Sequence, residues 1–159
     1  MFNAWVDAHS PMLYATIYRM LGNHQDCDDV LQNVFLKAWK YMDSFKNQSA
    51  VSTWLYRIAI NESTNWLNRH RNNQVQTLTN NENENKLSAE TYVDFQAGLS
   101  KFEQAVQELP AKQKAVFIMR FYDELAYEQI EQITGTTVGA LKASYFAAKK
   151  KIEDFLDNH

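Results

Sequence analysis

Apolar side chains recur at three- and four-residue intervals along most of the chain, the spacing of amphipathic helices. A first helix is predicted over residues 2–21, with Tyr14, Ile17, Tyr18 and Leu21 on one face and Gly22 in the position of a C-terminal cap. A second starts near Asp26, whose carboxylate can cap a helix N-terminus, and carries Val30, Leu31, Val34, Phe35, Ala38 and Met42 on its apolar side. After a loop from about Ser44 to Ala50, Ser52 or Thr53 would cap a third helix reaching Arg71. The stretch from Arg71 through Asn85 is rich in amides and nearly devoid of apolar periodicity, so it reads as a flexible connection. Beyond it four helices are expected, over residues 89–108 (ending before Pro110), 111–121, 126–133 and 138–156. The expectation is an all-α chain of two small helical domains, residues 1–72 and 89–159, joined by a flexible linker at 73–88.

Composition supports the helices. Four Gly and two Pro in 159 residues are too few for the turns of an all-β sandwich or a doubly wound sheet. With 45% hydrophobic and 13% aromatic residues the chain can build a core. The formal charge is −3, and its distribution matters more than its sum. Residues 1–72 hold seven bases and six acids, residues 73–108 two and six, and residues 109–159 seven of each. The excess acid therefore lies in the middle. The single cysteine, Cys27, excludes an internal disulfide and a multi-cysteine zinc site. The four histidines lack metal-ligand spacing, so neither metal nor cofactor is expected. The N-terminus carries no signal-peptide pattern and no apolar run is long enough to span a membrane, so a soluble, cytoplasmic protein is expected.

Two places carry candidate chemistry. The last two helices have the pattern of a helix-turn-helix: Leu125, Ile130 and Ile133 form one apolar face, Gly135 stands at the tight turn, and Val138, Leu141, Tyr145, Ala148 and Ile152 form the facing stripe. Lys142, Phe146 and Lys149 share the outward face, where a recognition helix meets the major groove. Between Thr137 and Ile152 there are four lysines, Lys150 among them, and no acid. The same pattern also suits an amphipathic helix with a solvated basic face.

The third helix gathers Trp54, Leu55, Ile58, Ala59 and Trp66 on one side and Arg57, Asn61, Asn65 and Asn68 on another. A row of asparagines is not favoured by helix propensity, and Arg69 and Arg71 flank it. Amides can read base edges and guanidiniums can hold phosphates, although an ordinary polar face would look similar.

Several ordered segments resemble the motifs of bacterial extracytoplasmic-function sigma factors: residues 26–39 (DCDDVLQNVFLKAW), 53–61 (TWLYRIAIN), 109–117 (LPAKQKAVF), 126–130 (AYEQI) and 138–142 (VGALK). The resemblance covers nearly everything but the linker. It implies a sigma factor that binds core RNA polymerase, recognises the minus-ten and minus-thirty-five promoter elements and promotes DNA melting, with no enzymatic activity, cofactor or small-molecule substrate. Region 2 would contact the clamp helices of the β′ subunit and the minus-ten element, and region 4 the β-flap tip and the minus-thirty-five element.

By position, Asp28, Asp29, Gln32, Asn33 and Phe35 match the polymerase-binding motif; Asp26, Asp28 and Asp29 also suit a helix N-terminus. Arg57, Asn61 and Asn65 match residues facing the minus-ten strand, with Asn68, Arg69 and Arg71 along the same helix. The loop 46–52, with Lys46 and Asn47, matches the segment that accepts a flipped base. Trp54 and Trp66, beside Leu55 and Ile58, are read as core residues. Lys142 matches a DNA-contacting position, and Thr137, Phe146, Lys149 and Lys150 are grouped with it for the minus-thirty-five element.

The chain departs from the family pattern in three places. Ser144 and Ala147 stand where arginines are frequent. Glu131 fills a position usually small, so its stem must lean aside and alter the packing slightly. Cys27, often alanine, is read as a small helix residue. An anti-sigma factor is the expected regulator, and an appended sensor domain is not expected after His159. The alternative is a stand-alone helix-turn-helix regulator, which would bind duplex DNA tightly without polymerase; the net charge disfavours it.

Overall fold

The computed structural model describes residues 2–45, 50–80 and 100–159, with side chains described throughout except at 72–80. Among the described residues every regular element is helical: α1 (Phe2–Leu21), α2 (His24–Tyr41), α3 (Val51–Asn80), α4 (Lys101–Gln107), α5 (Ala111–Phe117), α6 (Tyr127–Thr134) and α7 (Val138–Asn158). The all-α expectation holds for these residues.

Helix α1 buries Leu13, Ile17 and Met20, a stripe at four- and three-residue steps. Tyr14 and Tyr18, expected on the buried face, sit half-buried at its edge, where their rings stack with His24. Their polar hydroxyls make an edge position less costly than full burial. Gly22 adopts φ 86° and its N–H closes on the Tyr18 carbonyl at 2.7 Å. That left-handed geometry ends α1 and reverses the chain.

The cap of α2 lies three residues before the expected Asp26. Asn23, with extended backbone, accepts the Asp26 N–H at 2.8 Å through its side chain and donates its amide to Asp26 Oδ2 at 2.6 Å. The two residues cap the helix reciprocally, so the carboxylate serves from inside the first turn. Helix α2 then buries Cys27, Val30, Val34 and Ala38 against α1 and α3.

Helix α3 departs from expectation at both ends. It begins at Val51, with the Trp54 N–H bonded to the Ala50 carbonyl at 3.1 Å, so Ser52 and Thr53 lie within its first turn and are not its cap. It continues to Asn80, nine residues past Arg71 and into the stretch assigned to the linker. No Gly or Pro occurs between 51 and 80, and poor helix formers without a stop signal lower helix stability without ending it. Of the helix expected over 89–108, residues 89–99 lie outside the described residues.

In the second half Ser100 caps α4, accepting the Glu103 N–H at 3.1 Å. Helix α5 follows Pro110, whose carbonyl accepts from Lys114 N at 2.8 Å. It ends at Phe117, and residues 118–122 widen into a π turn, closed by Asp123 N–H to Ile118 O at 3.1 Å. Phe117, Ile118, Met119, Ile130, Leu141 and Ala148 form the core of this half.

The halves pack together, α3 against α5 and α6, and α1 against the π turn. Polar groups cross the junction. Lys114 Nζ donates to the Met20 carbonyl at 3.1 Å and to Gln107 Oε1 at 3.3 Å, while Gln107 Nε2 donates to the Arg19 carbonyl at 2.7 Å. Burial pulls the Lys114 ammonium down to about 8 from its usual 10.5, against the attraction of the Glu108 carboxylate.

Candidate nucleic-acid interface

The outer face of α2 begins acidic and ends apolar. Asp28, Asp29, Gln32 and Asn33 are exposed, whereas Phe35 is half-buried with its ring edge-on to Phe2 at 6.4 Å. One turn and two turns beyond Gln32, Leu36 and Trp39 are 60% and 62% exposed. Residue matching passes over these two. Their spacing from Gln32, four and seven residues, is the signal that places them on its face. Phe2 supports the Trp39 ring at 5.1 Å.

On α3, Asn61, Asn65 and Asn68 are exposed and line one cleft together with Lys37, Tyr41, Lys112, Thr134 and Thr136. Arg69 and Arg71 are exposed farther along. Arg57 is half-buried and does not share the open cleft: its guanidinium donates to the backbone carbonyl of Gln132 on α6. Beside the asparagines Glu62 is buried and paired with Lys37 of α2, so this face carries a cation already engaged by the chain's own carboxylate.

Lys46 and Asn47 lie outside the described residues. The flanks of their loop are aromatic: Phe45 and Trp54 rings approach to 5.0 Å, and Trp5 packs edge-on against both. Trp54 is thus held by two other rings. Trp66, also half-buried, stacks on His70 at 4.5 Å.

In the helix-turn-helix, Ile130 and Ile133 of α6 and Leu141, Ala148 and Ile152 of α7 are buried, with Leu125, Val138 and Tyr145 half-buried around them. Gly135 has φ 76° and its N–H meets the Glu131 carbonyl at 2.8 Å. Thr137 caps α7, accepting the Ala140 N–H at 3.3 Å. Lys142, Phe146, Lys149 and Lys150 all face solvent, Phe146 with 70% of its surface. The ammonium groups of Lys142 and Lys149 lie 5.8 Å and 5.6 Å from the Tyr127 and Tyr145 rings, which hold the two cations over aromatic faces.

Glu131 leans out of the helix crossing, and its carboxylate accepts the Val138 N–H at 3.0 Å. Ile130, Ile133, Leu141, Ala148 and Ile152 are buried beside it, so the motif forms with this long side chain outside the core.

Cys27 is fully buried and its thiol donates to the Tyr14 carbonyl at 3.4 Å. Burial, reinforced by Asp28, pushes that thiol up to about 12. Among the described residues no three His, Cys, Asp or Glu side chains are grouped to hold a metal ion, and no helix is long and apolar enough to cross a membrane.

The chain matches the family model of Sigma-70 region 2 over residues 5–73 and that of Sigma-70 region 4 over residues 99–152. It is 30% identical to the ECF RNA polymerase sigma-E factor of Haemophilus influenzae, over 96% of this chain and 86% of that protein. It is 28% identical to the ECF RNA polymerase sigma factor SigW of Bacillus subtilis, over 94% and 87%. Among solved structures, its fold matches the sigma factor RpoE of Bartonella quintana, co-crystallised with the anti-sigma factor NepR, with a TM-score of 0.72 at 23% identity, over 98% and 96% of the chains.

Proposed function

The chain belongs to the extracytoplasmic-function RNA polymerase sigma factors, and from that premise we propose how its surfaces divide the work of a transcription initiation factor. The outer face of α2, with Asp28, Asp29, Gln32, Asn33 and Phe35, docks on core polymerase. Leu36 and Trp39 extend that face with the exposed apolar area from which interface anchors are made. Asn61, Asn65 and Asn68, with Arg57, Arg69 and Arg71, engage the minus-ten strand, and Lys46 and Asn47 belong to the loop that takes its flipped base. Thr137, Lys142, Phe146, Lys149 and Lys150 engage the minus-thirty-five duplex.

Melting is driven by capture of unstacked bases, which offsets the few kcal/mol of unstacking and breaks no covalent bond. The protein is therefore not an enzyme in its own right, and it works in the cytoplasm with polymerase. An anti-sigma factor is its proposed regulator; the Bartonella quintana protein of the same fold was co-crystallised in complex with one.

One observation carries this reading. An exposed row of amides lies within the region 2 match, and an exposed row of lysines with one phenylalanine lies within the region 4 match of the same chain. The test mixes purified protein with core polymerase. Stable co-purification and a promoter-specific transcript are expected, and mapping the transcript starts identifies both promoter elements. No retention on core, or no specific transcript, would overturn the proposal.

A further inference from the structure

We infer that Glu131 is a positioning residue that limits how strongly the recognition helix grips DNA phosphate, by placing a carboxylate of the chain's own at the N-terminal end of α7. The inference rests on the assignment of α7 to the minus-thirty-five duplex. A helix N-terminus carries about half a positive charge and a set of unsatisfied N–H groups, which together attract phosphate. In a helix-turn-helix that end of the second helix enters the groove.

Here two of the first-turn amides are already taken. The Val138 N–H goes to Glu131 Oε2 at 3.0 Å and the Ala140 N–H to the Thr137 hydroxyl at 3.3 Å. The two acceptors are not equivalent. Thr137 is neutral, local and replaceable by solvent, whereas Glu131 reaches across the turn from α6 and brings a full negative charge.

Among the described residues no Lys or Arg forms an ion pair with Glu131, and Arg57, the cation beside it, is spent on the Gln132 carbonyl. The lysines of α7 begin at Lys142, four residues past Val138, and the Lys142 ammonium lies toward the Tyr127 ring. A phosphate approaching the tip of α7 therefore meets repulsion and finds the Val138 amide occupied. The lysines farther along still attract the backbone, so the helix keeps its general affinity but loses phosphate grip at the end that sets its register. A larger share of its binding must then come from base edges. Glu131 is exposed and lies outside the buried core of this half, so removing its charge does not open a cavity.

The test compares holoenzymes assembled with the natural chain, Glu131→Gln and Glu131→Ala on one promoter fragment across a potassium chloride series. Glu131→Gln keeps a carbonyl for the Val138 N–H and removes only the charge, while Glu131→Ala removes both. Both variants are expected to bind about 5-fold tighter at low salt, the scale of a charge acting at a helix end. The slope of log affinity against log salt is expected to steepen by about 0.9, one further phosphate neutralised.

A change confined to Glu131→Ala would make the residue a cap and overturn the inference. Weaker binding by Glu131→Gln would mean that the carboxylate touches a base donor, which overturns it as well. If the natural chain with core formed no promoter-specific complex, the assignment to sigma function would fall and take the inference with it. A normal complex with unchanged affinity and slope in Glu131→Gln overturns the inference alone.

Discussion

Thr16 of α1 donates its hydroxyl hydrogen to Asp123 Oδ2 at 3.1 Å, across 107 residues of sequence. Because that single hydrogen is spent on the carboxylate, the Tyr56 hydroxyl at 2.9 Å must be the donor to Thr16. Arg19 completes the group, 3.4 Å from Asp123 Oδ1 and with its guanidinium 4.6 Å over the Tyr122 ring. Burial pushes the Asp123 carboxyl up from its usual range, and the Thr16 bond and the Arg19 charge pull against that rise. This cluster links α1 and α3 to the end of the π turn. Asp123→Ala leaves buried Thr16 without its acceptor and should weaken the packed arrangement by about 1–3 kcal/mol. A lower urea midpoint and a larger radius of gyration in solution scattering are expected. An unchanged radius and midpoint would mean that the cluster does not hold the halves together.

Lys114 predicts a dependence on alkaline pH. Its ammonium is held near pKa 8 in the folded chain, against 10.5 when unfolded, chiefly because it is buried. Below about 8 both states carry the proton and the folded state bears the burial penalty. Between about 8 and 10.5 the unfolded chain holds a proton that the folded chain has shed, so stability rises with pH. The gain is of order 1–3 kcal/mol. From about 9 the Cys27 thiol, pushed up to about 12 by burial, opposes it, and above 10 the tyrosines do too, since burial raises the pKa of Tyr14 and Tyr122 and the fold then keeps protons that the unfolded chain loses. Denaturant titrations at pH 7.5, 8.0 and 8.5 (roughly the part of the window below the Cys27 opposition) should show increasing stability. In Lys114→Met the rise should vanish.

Much of this architecture is legible locally. The ends of α1 and α6 are readable because only a residue free to adopt positive φ fits there, and Gly22 and Gly135 supply it. The Lys142, Phe146 and Lys149 face is readable because helical spacing alone turns it outward. Rules with two solutions mislead: Asn23 and Asp26 both suit a cap, and their reciprocal bonding makes the earlier residue the Ncap. The π turn at 118–122 has no residue signature, and the Phe117 and Phe121 rings, stacked at 5.1 Å, are four residues apart as in any α-helix. Least legible are the pairings between distant residues. Nothing near Arg57 in sequence indicates that it reaches the Gln132 carbonyl, and the unusual size of Glu131 is visible without its bond to Val138.

Gly135 isolates a backbone effect. A Cβ built there meets nothing within 4 Å, so the only obstacle to Gly135→Ala is the φ of 76°. The expected cost is about 1–2 kcal/mol, the penalty of a left-handed residue with a side chain. Thermal unfolding checks it, and Gly135→Asn, which tolerates this conformation better, should recover part of the loss. Equal melting temperatures for the alanine variant and the natural chain would contradict the turn geometry.

Cys27 should be chemically silent. Full burial and a thiol pushed up to about 12 leave almost no thiolate at neutral pH, and the thiolate is the reacting species. Alkylation by iodoacetamide is expected to proceed only after denaturant is added. Rapid labelling of the folded chain would show that α1 and α2 open readily around it.

Arg57 and Asn61 test the division of roles between α2 and α3. Neither residue lies on the outer face of α2, and Asn61 stands open in the cleft while Arg57 is tied to α6. If the α3 row reads the minus-ten strand, Arg57→Ala combined with Asn61→Ala removes polar contacts to DNA and leaves the polymerase contact intact. With about 1–3 kcal/mol for each good side-chain contact to a base, open-complex formation should fall by at least about 10-fold. Affinity for core, measured by fluorescence anisotropy, should change by less than about 2-fold, and permanganate reactivity of the melted strand should fall with the transcript. Asn61 is exposed, so its substitution costs little stability, and a urea melt of the double variant isolates the contribution of the lost Arg57–Gln132 bond. Equal losses in core affinity and in melting would place α3 on the polymerase and not on the promoter.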